Sequence, residues 1–399
     1  MTTLSLPEWS PPPRPAARSV VKYHAPEIVF GYGSLGEAGH CALRLGARRP
    51  FVVTDPGIIE AGWVRELLGH LADVGLAADV WAGVTPNPKD HEITAAFHRY
   101  REWDGDVIIA IGGGSAMDAA KGVAILSGNG GSILDYAGVD QAVEPIPPLV
   151  MIPSTSGTGA DVSQFCIVTD TARATKITIM GRALVPDISV TDPRLLTTMP
   201  DELNASTGLD ALTHGIEAYV SLAHSPLTDV HALTAVRLVG SDLERTLVEP
   251  GDLDARTAMA QASLEAGLAF TNAILGATHA MSHQVGGLLD APHGVVNGVL
   301  LPHVIRYNAE QVPDRFVPLA RVAGLDVNGV PAGEVAEMLA AWVRRLSDRV
   351  GVPRGLRELG VSEEDLPRLA RTTLEDACLA TNPRGADATA VEALFRAAL

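Results

Sequence analysis

Two pairs of polar residues in the second half of the chain have the spacing of metal ligands. Asp210 and His214 are four residues apart, as are His279 and His283, so each pair projects from one face of a predicted helix. His293 stands between a proline and a glycine a little further along. Imidazole and carboxylate groups are ligands that Fe²⁺ and Zn²⁺ accept. Burying so many ionisable groups without a cation would be costly, and the pattern therefore predicts a divalent-metal site.

The spacing of one histidine pair is weak evidence by itself, because such pairs are often structural. Two pairs and a third histidine, in sequence otherwise poor in charge, favour a metal site over that alternative. Three other histidines, His224, His231 and His303, lack this context. We interpret them as ordinary surface or packed residues.

Two loops rich in glycine and hydroxyl groups follow predicted strands. Gly112-Gly-Gly-Ser115 separates a β-branched run from a helix, and such a turn lets a phosphate approach the helix N-terminus. It is neither a G-x-G-x-x-G fingerprint nor a P-loop, since Lys121 lies too far beyond the glycines. The second loop, Ser154–Gly159, would line the same cleft at the carboxyl ends of the strands. A ligand-free turn and a solvated loop are the respective alternatives.

Asp55 ends a predicted strand at a position where a carboxylate can hydrogen-bond an adenosine ribose. The same charge would repel a 2′-phosphate and so favours NAD over NADP. The alternative, with similar weight, is that Asp55 caps the next helix.

The elements that position these residues change in character near residue 200. Before it, strand-like runs at 27–31, 50–55, 78–82, 106–111 and 148–152 alternate with helical patterns such as 35–45 and 58–75, which predicts a mostly parallel sheet. After it, helical patterns continue alone, with breaks expected at Gly251, Pro292, Pro302 and Pro313. We predict a proline-rich extended arm at 1–20, an α/β domain at 21–199 and an all-helical domain at 200–399.

Composition excludes several classes of protein. The 399 residues are 47% hydrophobic and carry a formal net charge of -17, which argues against disorder and against partners such as nucleic acid or a membrane surface. Three scattered cysteines predict no disulfide scaffold and suit a reducing compartment. We find no signal peptide and no apolar run of membrane-spanning length, so a soluble cytoplasmic protein is expected.

The motifs taken together resemble the iron-containing (group III) alcohol dehydrogenases over residues 26–396. The residues that carry the resemblance are Gly112–Ser115 with Asp118 and Lys121, Pro86–Pro88, Ser154–Thr158, Gly208–Ala218, His279 with His283, and Pro292–Asn297. The resemblance implies a Rossmann-like NAD-binding domain and an all-α domain, in the dehydroquinate synthase-like arrangement, with the active site in the cleft between them. It also suggests a homodimer or a larger homo-oligomer.

The resemblance further implies roles for individual residues. The metal ligands would be Asp210, His214, His279 and His293, and His283 would face substrate and nicotinamide without binding the metal. The NAD site would be lined by Asn87, Gly113, Gly114, Ser115, Asp118, Thr155, Thr158 and Lys176, with Asp55 at the ribose. Ser154 and Asp161 stand where the family pattern has Thr and Glu. These two differences affect the finer cofactor contacts.

The predicted reaction is reversible hydride transfer between a primary alcohol, or its aldehyde, and NAD, with Fe²⁺ (or Zn²⁺) polarising the substrate oxygen. His283 would relay the hydroxyl proton, or else would only order a water molecule. The alternatives are a zinc-dependent glycerol dehydrogenase-like or other polyol or hydroxy-acid oxidoreductase, a dehydroquinate synthase-like lyase, a metal-dependent hydrolase, and a metal-stabilised NAD-binding protein without activity. The hydrolase would leave the loops Gly112–Ser115 and Ser154–Gly159 without a role, and turnover of any alcohol or aldehyde would exclude the non-catalytic protein.

Overall fold

A parallel β-sheet forms the centre of the N-terminal half of the chain. The computed structural model describes residues 22–173 and 175–399, so the predicted arm at 1–20 lies outside the described residues. The strands in the described part are β1 (Glu27–Phe30), β2 (Pro50–Val53), β3 (Asp79–Trp81), β4 (Val107–Gly112), β5 (Gly138–Val139), β6 (Leu149–Pro153), β7 (Phe165–Asp170), β8 (Thr175–Met180) and β9 (Ile188–Thr191).

Helices cover this sheet and make up the C-terminal half. Those of the α/β part are α1 (Ala38–Arg44), α2 (Pro56–Glu60), α3 (Trp63–Asp73), α4 (Asp90–Trp103) and α5 (Gly114–Asn129). Those that follow are α6 (Asp201–Val220), α7 (Pro226–Val248), α8 (Leu253–Ala273), α9 (Ala277–Leu289), α10 (His293–Ala309), α11 (Phe316–Val322), α12 (Ala332–Arg349), α13 (Leu366–Thr373) and α14 (Ala388–Ala398).

The main sheet has the order β1-β9-β6-β4-β2-β3, and its paired strands run parallel. Alternate residues of β4 enter two different cores, Ile108 and Ala110 on one side and Ile109 and Ile111 on the other. Successive side chains of a strand point to opposite faces of the sheet, so this strand places apolar side chains on both faces. A parallel sheet that lies between two layers of helices requires this. Helices α4 and α5 cover the first face, and α1 and α3 cover the second.

The five predicted strands are present, and four more strands were missed. These are β9, which lies between β1 and β6, the antiparallel β7–β8 hairpin, and the short β5, which pairs with β8. The prediction of one helix over 58–75 was wrong, because Gly62 interrupts it with a φ of 88° and separates α2 from α3. A left-handed residue cannot continue an α-helix, and glycine adopts that conformation without strain.

The helical half is built around α6, whose residues from Asn204 to Val220 are all buried. Helices α7, α8 and α10 pack against it. A helix buried on every side lies at the centre of a bundle, so its ionisable residues Asp210, His214 and Glu217 must find partners there. This arrangement, an α/β part followed by an all-helical part, confirms the predicted fold class. No helix of the described residues combines the length and apolarity needed to cross a membrane.

The break expected at Pro302 was wrong, because this proline lies inside α10. Proline has no N–H to donate to the carbonyl one turn earlier, which is that of Gly298. The hydroxyl of Ser347 on α12 lies 3.4 Å from that carbonyl oxygen and donates to it instead. A partner supplied by another helix thus satisfies the carbonyl that the proline leaves free.

His303, one of the three histidines interpreted as ordinary surface or packed residues, gives a testable pH dependence. Burial lowers its pKa to about 4, and Arg306 and Arg344 add to this effect. The folded protein therefore binds fewer protons than the unfolded chain between pH 6.5 and about 4, so this residue's contribution to stability is complete above that window and is lost as the pH falls through it. We expect acidification to lower the free energy of unfolding of the wild type by roughly 2 kcal/mol more than that of His303→Gln.

Urea denaturation of both proteins at about pH 7 and about pH 4.5 measures this difference. His91→Gln serves as the control, since the His91 side chain is 67% exposed. Equal acid sensitivity of wild type and His303→Gln would contradict the prediction.

Candidate active site

The carboxyl ends of β4 and β6 face the helical half across a cleft. Gly112 and Pro153 pair at the ends of these strands, and the Ser154 N–H donates to the Gly112 carbonyl at 2.8 Å. The two loops rich in glycine and hydroxyl groups therefore start side by side. The cleft encloses about 870 Å³, part of it open to solvent. Its polar lining includes Asn87, Gly114, Ser115, Asp118, Thr158, Lys176, Asp210, His214, His279, His283 and His293.

The four residues predicted as metal ligands come together on the helical side of this cleft. Oδ1 of Asp210 lies 3.8 Å from Nε2 of His214, 3.5 Å from Nε2 of His279 and 3.9 Å from Nε2 of His293. Asp210, His279 and His293 each place a ligand atom within 4.8 Å of the others. The ring of His214 stacks on that of His279, with centroids 4.5 Å apart. Three imidazole nitrogens thus surround one carboxylate oxygen.

A second contact orients each of these imidazoles through its Nδ1 atom. In His279 it lies 2.7 Å from Oε2 of Glu217, in His214 it lies 3.1 Å from the Gly157 carbonyl oxygen, and in His293 it lies 3.0 Å from the Ser282 hydroxyl. With Nδ1 occupied in each ring, Nε2 is left to face Asp210. Such outer contacts select the tautomer and the orientation of metal-binding histidines. The side-chain amide of Asn297 donates to Oδ1 of Asp210 at 2.9 Å and so orients the carboxylate.

The charges in this cluster are matched to a cation. Burial opposes ionisation of Asp210, but the neighbouring imidazoles outweigh it and hold the pKa of this carboxyl well below its usual range. Burial lowers the pKa of His214 to about 4 and holds that of His293 well below its usual range. Burial also acts against the charged form of His279, yet its bonds to Asp210 and Glu217 raise the pKa to about 9. Two carboxylates, Asp210 and Glu217, thus hold the buried His279 ring in its charged form, while His214 and His293 stay neutral, so a positive charge is favoured at this point.

These donors fit a divalent transition-metal ion. The set combines three imidazole nitrogens with one carboxylate oxygen, which is the chemistry that Fe²⁺ and Zn²⁺ accept. Asp210, His214 and His279 are buried, whereas the side chain of His293 is 27% exposed towards the cleft. One side of the cluster is therefore accessible to a small molecule.

His283 lies beside the cluster without sharing its centre. Its ring stacks on that of His293, with centroids 5.2 Å apart and an interplanar angle of 14°. Its Nδ1 contacts Oδ2 of Asp376 at 2.8 Å rather than Asp210. This placement agrees with a histidine that faces the cleft and does not belong to the cation cluster.

The two loops of the α/β side pack closely because of their glycines. A Cβ atom on Gly113 would lie 3.1 Å from Cγ2 of Thr155, and one on Gly114 would lie 2.9 Å from Cγ2 of Thr158. Any larger residue in the first loop would push the second loop away. The first turn of α5, which starts at Gly114, is thereby left open to the cleft.

Three predicted cofactor residues are linked to each other at the mouth of the cleft. The hydroxyl of Ser115 accepts the N–H of Asn87 at 3.2 Å, and the ammonium of Lys176 donates to Oδ1 of Asn87 at 2.7 Å. Asn87 in turn donates to Asp290 at the end of α9. Burial lowers the pKa of Lys176, against the attraction of Asp290 and of Asp118. Burial also raises the pKa of Asp118 to about 7.

The structure places other predicted residues away from the cleft lining. Thr155 borders a small separate cavity, and Gly113 packs against the side chain of Thr155. Lys121 is fully buried and donates to the carbonyl oxygens of Ser163 and Phe165, both at 2.8 Å, so it fastens the chain before β7 to α5. Asp55 caps α2 by accepting the N–H of Ile58 at 3.2 Å.

Asp55 thus fulfils the alternative weighed from the sequence, and its role at the ribose stays a prediction. Asp55→Asn separates the two roles, because asparagine caps a helix as well as aspartate but carries no charge. We expect the ratio of kcat/KM for NAD over NADP to fall by about tenfold, with the melting temperature unchanged. Steady-state kinetics with both cofactors measures the ratio. An unchanged preference would leave Asp55 with the capping role alone.

Several residues that contact the site had no role predicted for them. Glu217 follows His214 by three positions on the same face of α6, and this helical spacing, which continues that of Asp210 and His214, is a signal that was available. Asp376, Asn297 and the carbonyl of Gly157 gave no such signal. They reach the histidines and Asp210 only through the tertiary fold.

The fold and the converging side chains together define a protein with an α/β part, a helical part, and a cluster of one carboxylate and three imidazoles in the cleft. Residues 25–193 match the family described as iron-containing alcohol dehydrogenase, and residues 204–399 match the C-terminal part of the Fe-containing alcohol dehydrogenase family. The chain belongs to the iron-containing alcohol dehydrogenase family, which confirms the resemblance and the prediction of an oxidoreductase.

Individual relatives are similar over almost their whole length. A 1,3-propanediol dehydrogenase of Klebsiella pneumoniae is 39% identical over 379 residues, which are 94% of this chain and 98% of the relative. An NAD-dependent methanol dehydrogenase of Bacillus methanolicus is 35% identical over 374 residues, again 94% and 98%. A crystal structure of a 1,3-propanediol oxidoreductase superposes with a TM-score of 0.93 at 39% identity, covering 96% of this chain and 100% of that one. Membership of a dehydrogenase family disfavours the hydrolase and the non-catalytic protein.

Proposed function

We propose that this enzyme transfers hydride reversibly between a small primary alcohol, or its aldehyde, and NAD, with Fe²⁺ as the metal and Zn²⁺ as the alternative. One observation carries the proposal. The Nε2 atoms of three histidines lie 3.5–3.9 Å from one carboxylate oxygen in the same cleft that holds the glycine loops. Asp210, His214, His279 and His293 would hold the ion, which when bound supplies Lewis acidity to the substrate oxygen.

The α/β side of the cleft supports binding of the dinucleotide. The N-terminus of α5 and the Ser115 hydroxyl suit a phosphate. Asn87 and Lys176 offer an amide and an ammonium group nearer to the cation cluster, where the nicotinamide end would lie. Hydride transfer requires the nicotinamide of NAD to lie next to the substrate. One NAD molecule would therefore extend from the N-terminus of α5 to the cation cluster, and both lie in the same cavity.

Apolar side chains of the cleft support a small and weakly polar substrate. Phe165, Ile167, Phe270 and Leu275 line the cleft together with the histidines. Phe270 stacks on His214, with ring centroids 4.3 Å apart, so an apolar wall adjoins the cation cluster. These groups would orient a short alkyl chain and exclude water from the carbinol carbon. His283 would accept the hydroxyl proton, or would hold a water that does so.

The sheet edge supports a homodimer. Within the described residues, 22–173 and 175–399, strand β1 pairs only with β9, and its Ile28 (37%) and Phe30 (38%) and the following Tyr32 (69%) are exposed. An apolar edge strand favours pairing with a second copy of itself. Sedimentation of the purified protein tests this part of the proposal. The free, buried state of Cys41, Cys166 and Cys378 supports residence in the cytoplasm.

A panel of alcohols with NAD, and of aldehydes with NADH, tests the proposed reaction by NADH absorbance. Turnover is expected for short primary alcohols, to disappear with a chelator and to return with Fe²⁺ or Zn²⁺. Metal analysis of the purified protein identifies the ion. Failure of every alcohol and aldehyde to change the NADH concentration would contradict the proposal and would favour the lyase, which releases no NADH.

A further inference from the structure

A carboxylate from a distant part of the chain holds the ring of His283. Oδ2 of Asp376 lies 2.8 Å from Nδ1 of His283, across 93 residues of sequence. The two side chains are only 9% and 12% exposed. Asp376 immediately precedes the 3₁₀ turn Ala377–Thr381 and lies apart from the group around Asp210; with His283 and Cys378 it forms a separate group whose candidate ligand atoms lie within 4.8 Å of one another.

Asp376 is itself fixed in orientation. Its Oδ1 accepts the N–H of Cys378 at 2.9 Å, and the amide nitrogen of Gln284 lies 3.4 Å from Oδ2. Burial acts against its charge, but His283 and the N–H of Cys378 outweigh it and hold the pKa of Asp376 below its usual range. A carboxylate in this state can only accept, so the proton of a neutral His283 ring resides on Nδ1.

This contact reverses the tautomer that imidazole prefers in water, where the proton of a histidine side chain resides mainly on Nε2. Which ring nitrogen carries the proton is set by the partner of the other one. His283 lines the cleft and its Nδ1 edge is directed at Asp376, so its Nε2 edge is the one that can reach a bound substrate. The lone pair of Nε2 is then free to accept a proton.

We propose that Asp376 is the positioning residue for His283, because it keeps the ring proton on Nδ1 and leaves Nε2 ready to accept the hydroxyl proton of the alcohol. This inference rests on the proposed function. In that reaction the O–H bond breaks and its proton passes to Nε2. The electron pair left on oxygen forms the second bond of the carbonyl, while the carbinol carbon loses hydride to NAD. Asp376 then faces the imidazolium and stabilises its charge.

Asp376→Asn is the sharpest test, because asparagine has the same size and reverses the hydrogen bond. The amide oxygen takes the place of Oδ1 opposite the N–H of Cys378, which turns the NH₂ group towards Nδ1 of His283. The ring is then expected to carry its proton on Nε2. We expect kcat to fall by roughly 10–100-fold, with KM and metal content unchanged.

The tautomer is read directly by ¹⁵N NMR of the histidine rings in the full-length protein loaded with diamagnetic Zn²⁺, with the His283 signals assigned by their absence in His283→Gln. Glu265→Gln is the matched control. It alters the same kind of contact at His231, whose Nδ1 pairs with Oε2 of Glu265 away from the cleft. That variant is expected to change the signal of His231 and to leave kcat unchanged.

Three results would overturn the inference: a wild-type His283 with its proton on Nε2, a reversed tautomer in Asp376→Asn with unchanged kcat, or loss of metal in that variant. If Asp376→Asn does not fold, Asp376→Ala provides the same comparison, since the ring should return to its preferred Nε2–H form. The NMR result does not depend on turnover. A wild type that oxidises no alcohol therefore contradicts the proposed function, while the tautomer still reports on Asp376.

Discussion

Asp210→Ala is expected to abolish metal binding and to lower kcat by on the order of 10³-fold or more, since loss of the Lewis acid costs several kcal/mol of transition-state stabilisation. Oδ1 of this residue is the point on which three imidazoles converge, at 3.5–3.9 Å. Without it the cluster loses the carboxylate that all three histidines face. His279→Ala should have the same double effect. Metal content by mass spectrometry and steady-state kinetics on one preparation measure both losses.

His91→Ala is the control for this prediction, because its side chain is 67% exposed and lies on α4 rather than in the cleft. It should keep its metal and its rate. Full activity of Asp210→Ala after metal removal would contradict the assigned ligands and the proposed mechanism together.

Glu217→Ala is expected to lower the free energy of unfolding by about 3–5 kcal/mol and metal affinity by about 10–100-fold. This buried carboxylate accepts the backbone N–H groups of Gly276 at 3.1 Å and Thr278 at 2.6 Å, as well as the ring of His279 at 2.7 Å. Burial opposes its charge, yet the bonds from His279 and Thr278 hold the pKa of Glu217 below its usual range. Removing it leaves several buried donors without an acceptor.

Glu217→Gln should also be destabilising, although glutamine has the same shape. Both carboxylate oxygens accept hydrogen bonds, so either orientation of the amide sets an NH₂ group against another donor. Urea denaturation of the metal-free protein and competition with a coloured chelator give the two quantities. Glu337→Gln is the matched control, since Glu337 pairs with Arg306 at a site where its side chain is 58% exposed. Equal stability of Glu217→Gln and wild type would show that the charge of Glu217 is not needed.

Much of the fold and of the candidate site follows from local patterns. The central strands β2, β4 and β6 are short apolar runs ended by glycine, proline or aspartate, and both of their faces are buried. The spacing of Asp210 with His214, and of His279 with His283, depends only on the period of an α-helix. These features are visible without knowledge of any long-range contact.

Local patterns failed where a distant partner decides the outcome. Pro302 reads as a helix end, but Ser347 supplies the missing bond to Gly298 and α10 continues. The β7–β8 hairpin owes its place to the turn at Asn87, whose neighbour Pro88 accepts the N–H of Thr169 at 2.8 Å. Neither contact leaves a trace in the nearby sequence.

From its residues alone, this chain could be seen to carry paired metal ligands on helices and glycine loops after strands, because helix and strand periods act over a few neighbouring positions. Only the packing of α10 against both α6 and α9 decided that four of the side chains meet, and which groups orient them. Glu217 reaches His279 across 62 residues, the Gly157 carbonyl reaches His214 across 57, and Asp376 reaches His283 across 93. Contacts of that range depend on how whole elements pack, which no local periodicity encodes.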